Sequence, residues 1–276
     1  MKMSRSLLYT TLRLIKPVLF TTKTINPMIS KVITHDGIFH ADDVMSVALL
    51  LEFIRPTLPV ERTRNIAADE FTNPDIWIVD VGGQYNKELN NFDHHQDSNL
   101  HSACVLLFKH LYNKSYIDGD IYDELIDTLL EISDIDCNGP QDKNGFQFNT
   151  LIKSFNNLEN GFDKAVWVCR NYIQSCKENV ERATLSREIW DSGERKGDDI
   201  VVCNAFPSHW KRYEEEMFLV YPQAGKWNLI TRDSVNHHLV SIGKENFIHS
   251  NKFLAVFDNK EDAIACARVS SIISRV

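Results

Sequence analysis

The chain has 276 residues, of which 43% are hydrophobic and 25% charged, an ordinary composition for a globular protein with one or two domains. Its 38 acidic and 30 basic residues give a net charge of −8, which argues against a broad basic face for duplex DNA. Six scattered cysteines without a CxxC pair argue against a disulfide framework, and no apolar run approaches the roughly 18 residues of a membrane span.

The first 35 residues form a basic segment that contains no Asp or Glu. Hydroxyl and apolar residues alternate with Lys and Arg in "MSRSLLYTTLRLIKPVLFTTKT", a composition typical of a mitochondrial transit peptide. Arg13 and Lys16 interrupt the apolar pieces, which disfavours a secretory signal. We therefore predict a targeting segment over residues 1–29 and a mitochondrial location; a disordered basic tail is the alternative.

Between residues 30 and 196, short β-rich runs alternate with helical ones, which predicts an α/β domain. We predict buried strands at 31–34 and 75–83, and helices at 43–54, 102–112 and 121–133. This alternation favours a mostly parallel sheet flanked by helices, in which ligands collect at the carboxyl ends of the strands. His35 and Asp80 lie near the ends of the two predicted strands, so we expect both at that edge.

The second part of the chain has a different pattern. A long helix is predicted at 162–191, and "DSGERKGDD" at 191–199 is typical of a linker. Short strand-like runs follow, and the chain closes on a helix that Asn259 can cap. We predict a domain boundary near residue 196, which gives an α/β domain over 30–196 and a smaller α+β domain over 197–276.

Imidazoles and carboxylates concentrate in four short stretches of the first domain: "HDGIFHADD", "IVDVGG", "NFDHHQ" and "EISDIDCNG". Each stretch alone has an ordinary structural explanation, such as a helix cap or a turn. Together, at strand ends and loops of one α/β unit, they predict a metal site. Mixed nitrogen and oxygen ligands favour Mn²⁺, Fe²⁺, Zn²⁺ or Co²⁺ over Ca²⁺. The ligands exceed the need of one ion, which suggests two ions about 3.5–4 Å apart.

These stretches occur in the order and spacing of the DHH phosphoesterase superfamily. More closely, the chain resembles the melanocyte-proliferating-gene-one (Myg-type) family, and the resemblance continues through "KWNLITRDSV" and "FIHSNKF". It implies a metal-bearing first domain, a smaller substrate-binding second domain and phosphodiester hydrolysis with Mn²⁺, or alternatively Mg²⁺ or Co²⁺. It also implies a 3′–5′ exonuclease acting on single-stranded RNA, in mitochondria or in the nucleus and cytoplasm.

The resemblance also implies roles for individual residues. The implied metal ligands are His35, His40, Asp42, Asp80, Asp93, His94 and Asp136. The implied catalytic residues are Asp80, which would bridge the two ions, His94 and His95. The implied substrate-binding residues are His95, His249, Lys252 and Arg268. Against the family's fourth motif, Ser133 replaces an Asp and Cys137 is extra, so that Asp134 and Asp136 both remain candidates, with Asp136 favoured.

Two rival functions follow from the same residues. One is a small-molecule phosphohydrolase of the same superfamily, acting on pyrophosphate or dinucleotides, and the other is a metal-binding regulatory protein without catalysis. The complete set of imidazoles and carboxylates argues against the second rival. The phosphohydrolase would differ from an exoribonuclease in the second domain. A long groove with an aromatic and basic lining would favour RNA, and a closed pocket would favour small ligands.

Overall fold

A computed structural model describes residues 29–139, 147–197, 199–213 and 216–275 of the chain. These residues fall into two compact units. The first comprises the described residues up to Asp118 together with Thr128–Trp167, and the second comprises Gly119–Asp127 with the residues from Val168 onwards. The targeting segment predicted over 1–29 lies outside the described ranges except for Ile29. Within those ranges, no helix combines the length and apolar character that crossing a bilayer requires.

The first unit is built on a five-stranded sheet. Its strands are β1 (Lys31–Thr34), β2 (Val60–Arg62), β3 (Ile76–Val79), β4 (Tyr85–Asn86) and β5 (Asn91–Phe92). They lie in the order β2-β1-β3-β5-β4, and all neighbours are parallel except the terminal pair β5 and β4. The mostly parallel sheet that the sequence predicts is therefore confirmed.

Helices accompany this sheet along the chain. They are α1 (Ala41–Phe53), α2 (Ala103–Asn113), α3 (Gly119–Asn138), α4 (Phe148–Ser154) and α5 (Gly161–Asp191). Helix α1 is an apolar run without Gly or Pro, and its residues from Ala41 to Leu51 are all buried. Helices α3 and α5 each contribute residues to both units, so the boundary predicted near residue 196 stays a prediction.

The second unit is built on a six-stranded sheet. Its strands are β6 (Glu194–Arg195), β7 (Ile200–Val202), β8 (Phe218–Gln223), β9 (Lys226–Thr231), β10 (Phe247–Ile248) and β11 (Leu254–Phe257). The pairs are antiparallel except β7 with β8. Helix α6 (Lys260–Ser274) begins where the Asn259 side chain accepts the Asp262 N–H, and its buried face packs into the same hydrophobic core as β8 and β9. The predicted α+β character is confirmed, whereas part of the predicted linker is strand β6.

The register of three parallel strands determines where the functional side chains lie. Strands β1, β3 and β5 are neighbours, with Ile33 opposite Ile78 and Val79 opposite Phe92. The residue that follows each strand is polar: His35 after β1, Asp80 after β3 and Asp93 after β5. Because the strands run in the same direction, all three residues reach the carboxyl edge of the sheet.

Candidate metal centre

One group of buried side chains forms around His35. Its Nε2 lies 3.4 Å from Asp43 Oδ2 and 3.5 Å from Asp80 Oδ2. The other ring nitrogen, Nδ1, lies 2.9 Å from the carbonyl oxygen of Asp36, to which it can donate. Histidines that bind metals commonly donate one nitrogen to a carbonyl in this way and keep the other for the ion. All three side chains of the group are buried.

A second group forms around His94. Its Nε2 lies 3.2 Å from Asp136 Oδ2, 3.4 Å from Asp80 Oδ1 and 3.8 Å from Asp42 Oδ2. Asp80 therefore faces His35 with one oxygen and His94 with the other. This is the arrangement expected of a carboxylate that bridges two ions.

Three buried polar atoms that face these groups have no hydrogen-bond partner among the described residues: Asp43 Oδ2, Asp80 Oδ1 and His94 Nε2. Buried polar atoms are almost always paired, because leaving one unpaired costs roughly 1–3 kcal/mol. Nitrogen and carboxylate oxygen together are the donors that Mn²⁺, Zn²⁺ and related ions accept. The donor set and its unpaired atoms therefore fit divalent metal ions.

The pKa values of the buried carboxyl groups are consistent with a site that binds a cation. Burial raises the pKa of Asp43 to about 7, with the charge of Asp80 adding to the effect and that of His35 opposing it. The pKa of Asp42 is also raised, by burial and by the charges of Asp80 and Asp136. Ionising these two buried carboxyl groups beside Asp80 would concentrate negative charge, which a bound cation could compensate.

The pKa values of the two imidazoles are raised as well, but by neighbouring carboxylates and against the effect of burial. Burial lowers the pKa of His94, but the nearby carboxylates of Asp136 and Asp80 outweigh burial and raise it to about 11. For His35, burial is likewise outweighed by Asp80 and Asp43, and its pKa rises to about 9. Without metal, protons on these rings compensate the carboxylates, so metal binding must displace protons.

The backbone of Asp80 is in the left-handed region, with a φ of 55°. Non-glycine residues adopt this conformation at a cost of roughly 1–2 kcal/mol, which Asp and Asn bear more easily than others. Strain of this kind clusters at functional sites, where the surrounding fold holds it in place. The strained turn after β3 presents both oxygens of Asp80 to the two histidines.

Asp93 has a different environment from the other aspartates. Its Oδ1 accepts the backbone N–H groups of His94 at 2.7 Å and His95 at 3.2 Å, and also His95 Nδ1–H at 2.6 Å. Its Oδ2 accepts the Gly83 N–H at 2.6 Å. Burial opposes ionisation of Asp93, but these bonds outweigh it and lower the pKa to about 2. Asp93 thus orients the exposed ring of His95.

Asp42 links the centre to the start of helix α2. It is fully buried and accepts hydrogen bonds from Ser102 Oγ at 2.6 Å, from the Ala103 N–H at 2.8 Å and from the Cys104 N–H at 2.7 Å. Free N–H groups at a helix N-terminus favour an anionic acceptor. Asp42 consequently serves as the capping acceptor for α2.

The structure gathers most, but not all, of the implied ligands. His40 is exposed at the start of α1, with its ring centroid 6.0 Å from that of His35, and it belongs to neither group. Asp43, its neighbour on the first turn, takes the position beside His35 instead. Of the two candidates on α3, Asp136 faces His94, whereas Asp134 is exposed and accepts from Asn138.

The structure shows where the two residues that depart from the family's fourth motif lie. Ser133 is buried, and its Oγ accepts the N–H of Ser102 at 2.9 Å. Cys137 is exposed and lies 3.7 Å from His94 Nδ1. The sequence analysis assigned neither Asp43 nor Cys137 as a metal ligand, although Asp43 belongs to the same "HADD" motif as Asp42.

The implied substrate-binding residues of the second unit lie in two different pockets. His249 and Lys252 line a pocket of about 510 Å³ together with His238, Ser241 and Ser250. Arg268 lines another pocket of about 280 Å³, beside Lys196 and Arg275. His238, from the "NHHLV" stretch, is not among the substrate-binding residues that the resemblance implies. The first pocket has no carboxylate among its described lining residues, a composition that suits an anion.

Comparisons with known proteins find relatives named MYG1. The family described as uncharacterised protein family UPF0160, with the model name MYG1_exonuc, matches residues 31–132. The MYG1 protein of Chlamydia pneumoniae is 36% identical over 280 aligned positions, covering 86% of this chain and 95% of its own. The MYG1 protein of Chlamydia trachomatis is 37% identical over 136 positions, covering 46% of this chain and 45% of that protein.

Two further matches are more limited. The mouse (Mus musculus) protein named MYG1 exonuclease is 38% identical over 63 residues, which cover 23% of this chain and 16% of that protein. Among solved structures, RecJ of Thermus thermophilus aligns over 91% of this chain and 51% of that chain, with 12% identity and a TM-score of 0.29. A likeness this weak carries no argument about fold or function.

Proposed function

This chain belongs to the MYG1 family, UPF0160, and we propose that it is a metal-dependent phosphodiester hydrolase that removes nucleotides from the 3′ end of single-stranded RNA. The observation that carries the proposal is the set of unpaired buried atoms on Asp43, Asp80 and His94, which face one another across one cluster of described residues. The name of the mouse relative, an exonuclease, supports the reaction class.

The cluster supplies ligands for two divalent ions, for which we propose Mn²⁺. His35, Asp43 and Asp80 would hold one, and Asp80, His94 and Asp136 the other, with Asp42 beside the second. Bound ions supply charge neutralisation for phosphate oxygens and activation of a water. All of these side chains except Asp136 are buried, which limits competition from solvent.

His95 is the side chain that can contact the scissile phosphate. Its Nδ1–H is fixed on Asp93 at 2.6 Å, and its ring is exposed, so Nε2–H can donate to a phosphate oxygen or to the departing 3′ oxygen. The hydrogen bond to Asp93 raises the pKa of His95, which favours the protonated, donating form. Asp93 therefore acts as a positioning residue for His95.

The pocket of His238, His249 and Lys252 supports binding of a phosphate group. His249 Nδ1 accepts the N–H of Asn251 at 3.0 Å, so that its ring proton lies on Nε2 and can be donated. Lys252 contributes an ammonium group, and Ser250 a hydroxyl, to the same lining. Together these groups supply several hydrogen-bond donors and a positive charge, which suits a phosphate anion.

Exposed aromatic rings beside His249 favour a nucleic acid over a small phosphate ester. Phe253 lies with its ring centroid 4.3 Å from that of His249, and Phe247 at 6.3 Å. These two phenylalanines are 38% and 49% exposed. Exposed rings near cationic side chains are typical of single-strand binding, where each stacked base contributes about 1–3 kcal/mol.

The proposal is tested by incubating the full chain and Mn²⁺ with single-stranded RNA labelled at its 5′ end. A ladder that shortens from the 3′ end is expected, and it should disappear with a chelator. Pyrophosphate, a cyclic dinucleotide and duplex DNA serve as parallel substrates. Hydrolysis of pyrophosphate or the dinucleotide with intact RNA would assign the small-molecule alternative. Mn²⁺ binding without turnover of any substrate would assign the regulatory one.

A variant of Phe253 tests the proposed stacking of RNA bases. Phe253→Leu keeps an apolar side chain but removes the aromatic face, so we expect the KM for RNA to rise several-fold with kcat nearly unchanged. Val235→Leu, at an exposed apolar position in the same unit, is the matched control. An unchanged KM in Phe253→Leu would remove the aromatic support for an RNA substrate.

A further inference from the structure

Cys137 is the one cysteine of the six that is exposed, and it lies against the edge of the metal centre. Its Sγ is 3.7 Å from His94 Nδ1, and Asp136 is its neighbour on helix α3. One ligand atom from each of His94, Asp136 and Cys137 lies within 4.8 Å of the other two. The side chains therefore form a compact nitrogen, oxygen and sulfur donor set.

A sulfur donor changes which cation this position prefers. Thiolate ligands select Zn²⁺ and other soft cations, whereas Mn²⁺ and Mg²⁺ prefer carboxylate, carbonyl and water. His94 is only 9% exposed. Its Nε2 lies 3.2 Å from Asp136 Oδ2 and has no hydrogen-bond partner within the described ranges, so a buried nitrogen that could bind a cation faces the carboxylate of this set. The exposure of Cys137 gives a cation in solution access to the sulfur.

We propose that His94, Asp136 and Cys137 form a site for a thiophilic divalent cation, of the Zn²⁺ or Cd²⁺ type, that competes with the catalytic ions. On binding, the Cys137 thiol releases its proton and a sulfur–metal bond forms. His94 and Asp136 are then withdrawn from the position they share with Asp80. Micromolar Zn²⁺ would thus inhibit an enzyme that Mn²⁺ activates.

The test is a titration of the chelator-treated full chain with Cd²⁺. Binding is monitored through the ultraviolet absorption of the cadmium–thiolate bond. The wild type should develop this absorption at about one equivalent, and Cys137→Ser should lack it. Cys266→Ser is the matched control, because this buried residue can keep its hydrogen bond to the Val240 carbonyl as a serine. Loss of Cys137 should weaken Zn²⁺ binding at least about tenfold. Absorption that persists in Cys137→Ser, or never appears in the wild type, would overturn the site.

A second measurement covers the case in which Cys137→Ser does not fold. The wild type is alkylated with iodoacetamide, with and without Zn²⁺, and the Cys137 peptide is quantified by mass spectrometry. Protection by Zn²⁺ is expected, and equal labelling would overturn the proposal. The inference rests on the metal-centre residues of the proposed function but not on turnover. A cadmium–thiolate signal without RNA hydrolysis would refute only the hydrolase, and hydrolysis without the signal only this site.

Discussion

The Asp43→Asn variant tests two separate properties of Asp43: the free energy that burying its carboxylate costs, and its binding of a metal ion. Asp43 Oδ1 accepts the His40 N–H at 2.7 Å, and an asparagine carbonyl can keep that bond at the start of α1. Its Oδ2, which is buried 3.4 Å from His35 Nε2 and has no hydrogen-bond partner among the described residues, becomes an uncharged amide nitrogen. The variant therefore preserves the shape and the helix cap while removing one negative charge from the centre.

The magnitude follows from the pKa of Asp43, which rises from its ordinary value of 3.8 to about 7 on folding. A folded-state pKa above the unfolded one means that the native protein holds the proton more tightly, so stability falls as the pH rises between the two values. At about 1.4 kcal/mol per pKa unit, the whole loss is about 4 kcal/mol, complete above pH 7. The Asp43→Asn variant has no proton to lose at this position and escapes the loss.

The assay is urea unfolding of the full chain in excess chelator at pH 5 and pH 8. The wild type should lose roughly 2–3 kcal/mol more than Asp43→Asn between these two pH values, because Asp43 ionises over that interval. Asp134→Asn, at an exposed position on α3, should follow the wild type. Parallel pH dependence in all three proteins would refute the assignment of Asp43 as a buried carboxylate that costs stability.

Adding Mn²⁺ should stabilise the wild type more than it stabilises Asp43→Asn. Mn²⁺ at about 100 times its dissociation constant stabilises a native protein by about 2.7 kcal/mol. The wild type should gain this at pH 8, and Asp43→Asn should gain clearly less, because one ligand of the first group is missing. Equal stabilisation of both proteins by Mn²⁺ would show that Asp43 does not bind the ion.

Three further predictions concern activity and location. Chelation should abolish hydrolysis, and Mn²⁺ should restore it better than Ca²⁺ because nitrogen ligands are present; full turnover in chelator would contradict the metal mechanism. Asp80→Asn, which keeps the left-handed backbone accessible, should lower kcat by about a thousandfold or more with an intact circular dichroism spectrum, and normal turnover would remove Asp80 from the site. We also propose that residues 1–28 address the chain to mitochondria and are dispensable for folding; a reporter fused to them that stays in the cytosol would refute the address.

Much of the first unit could be predicted from sequence because its signals are local. The strand at 31–34 is observed with the predicted bounds, and helix α1 follows from an apolar run without breakers. Strands β4 and β5 could not be predicted, because each has only two residues and depends on pairing, β5 with β3 and β4 with β5. Helix α3 continues to Asn138, past the predicted end at residue 133, so Asp136 projects from a helix rather than from a turn.

The ligand set could be predicted by composition but not by position. Asp42 and Asp43 are adjacent and chemically identical, and a rotation of about 100° along the helix separates the residue that caps α2 from the one that faces His35. The strongest signal that could have found Asp43 is its place three residues after His40, where a helix N-terminus favours a capping acid. His238 had no local signal, because its pocket is assembled by the fold of the second unit.

The hydrogen bonds that Asp42 accepts from Ser102, Ala103 and Cys104 have an evolutionary consequence. A descendant that no longer hydrolysed phosphodiesters could replace His94 or Asp136 without disturbing a helix start, so these positions would drift. Asp42 would persist, because without it the first amides of α2 would lose their buried acceptor. In a diverged lineage, a retained Asp42 therefore reports an inherited fold, and the joint survival of His94 and Asp136 is the better sign of a working enzyme.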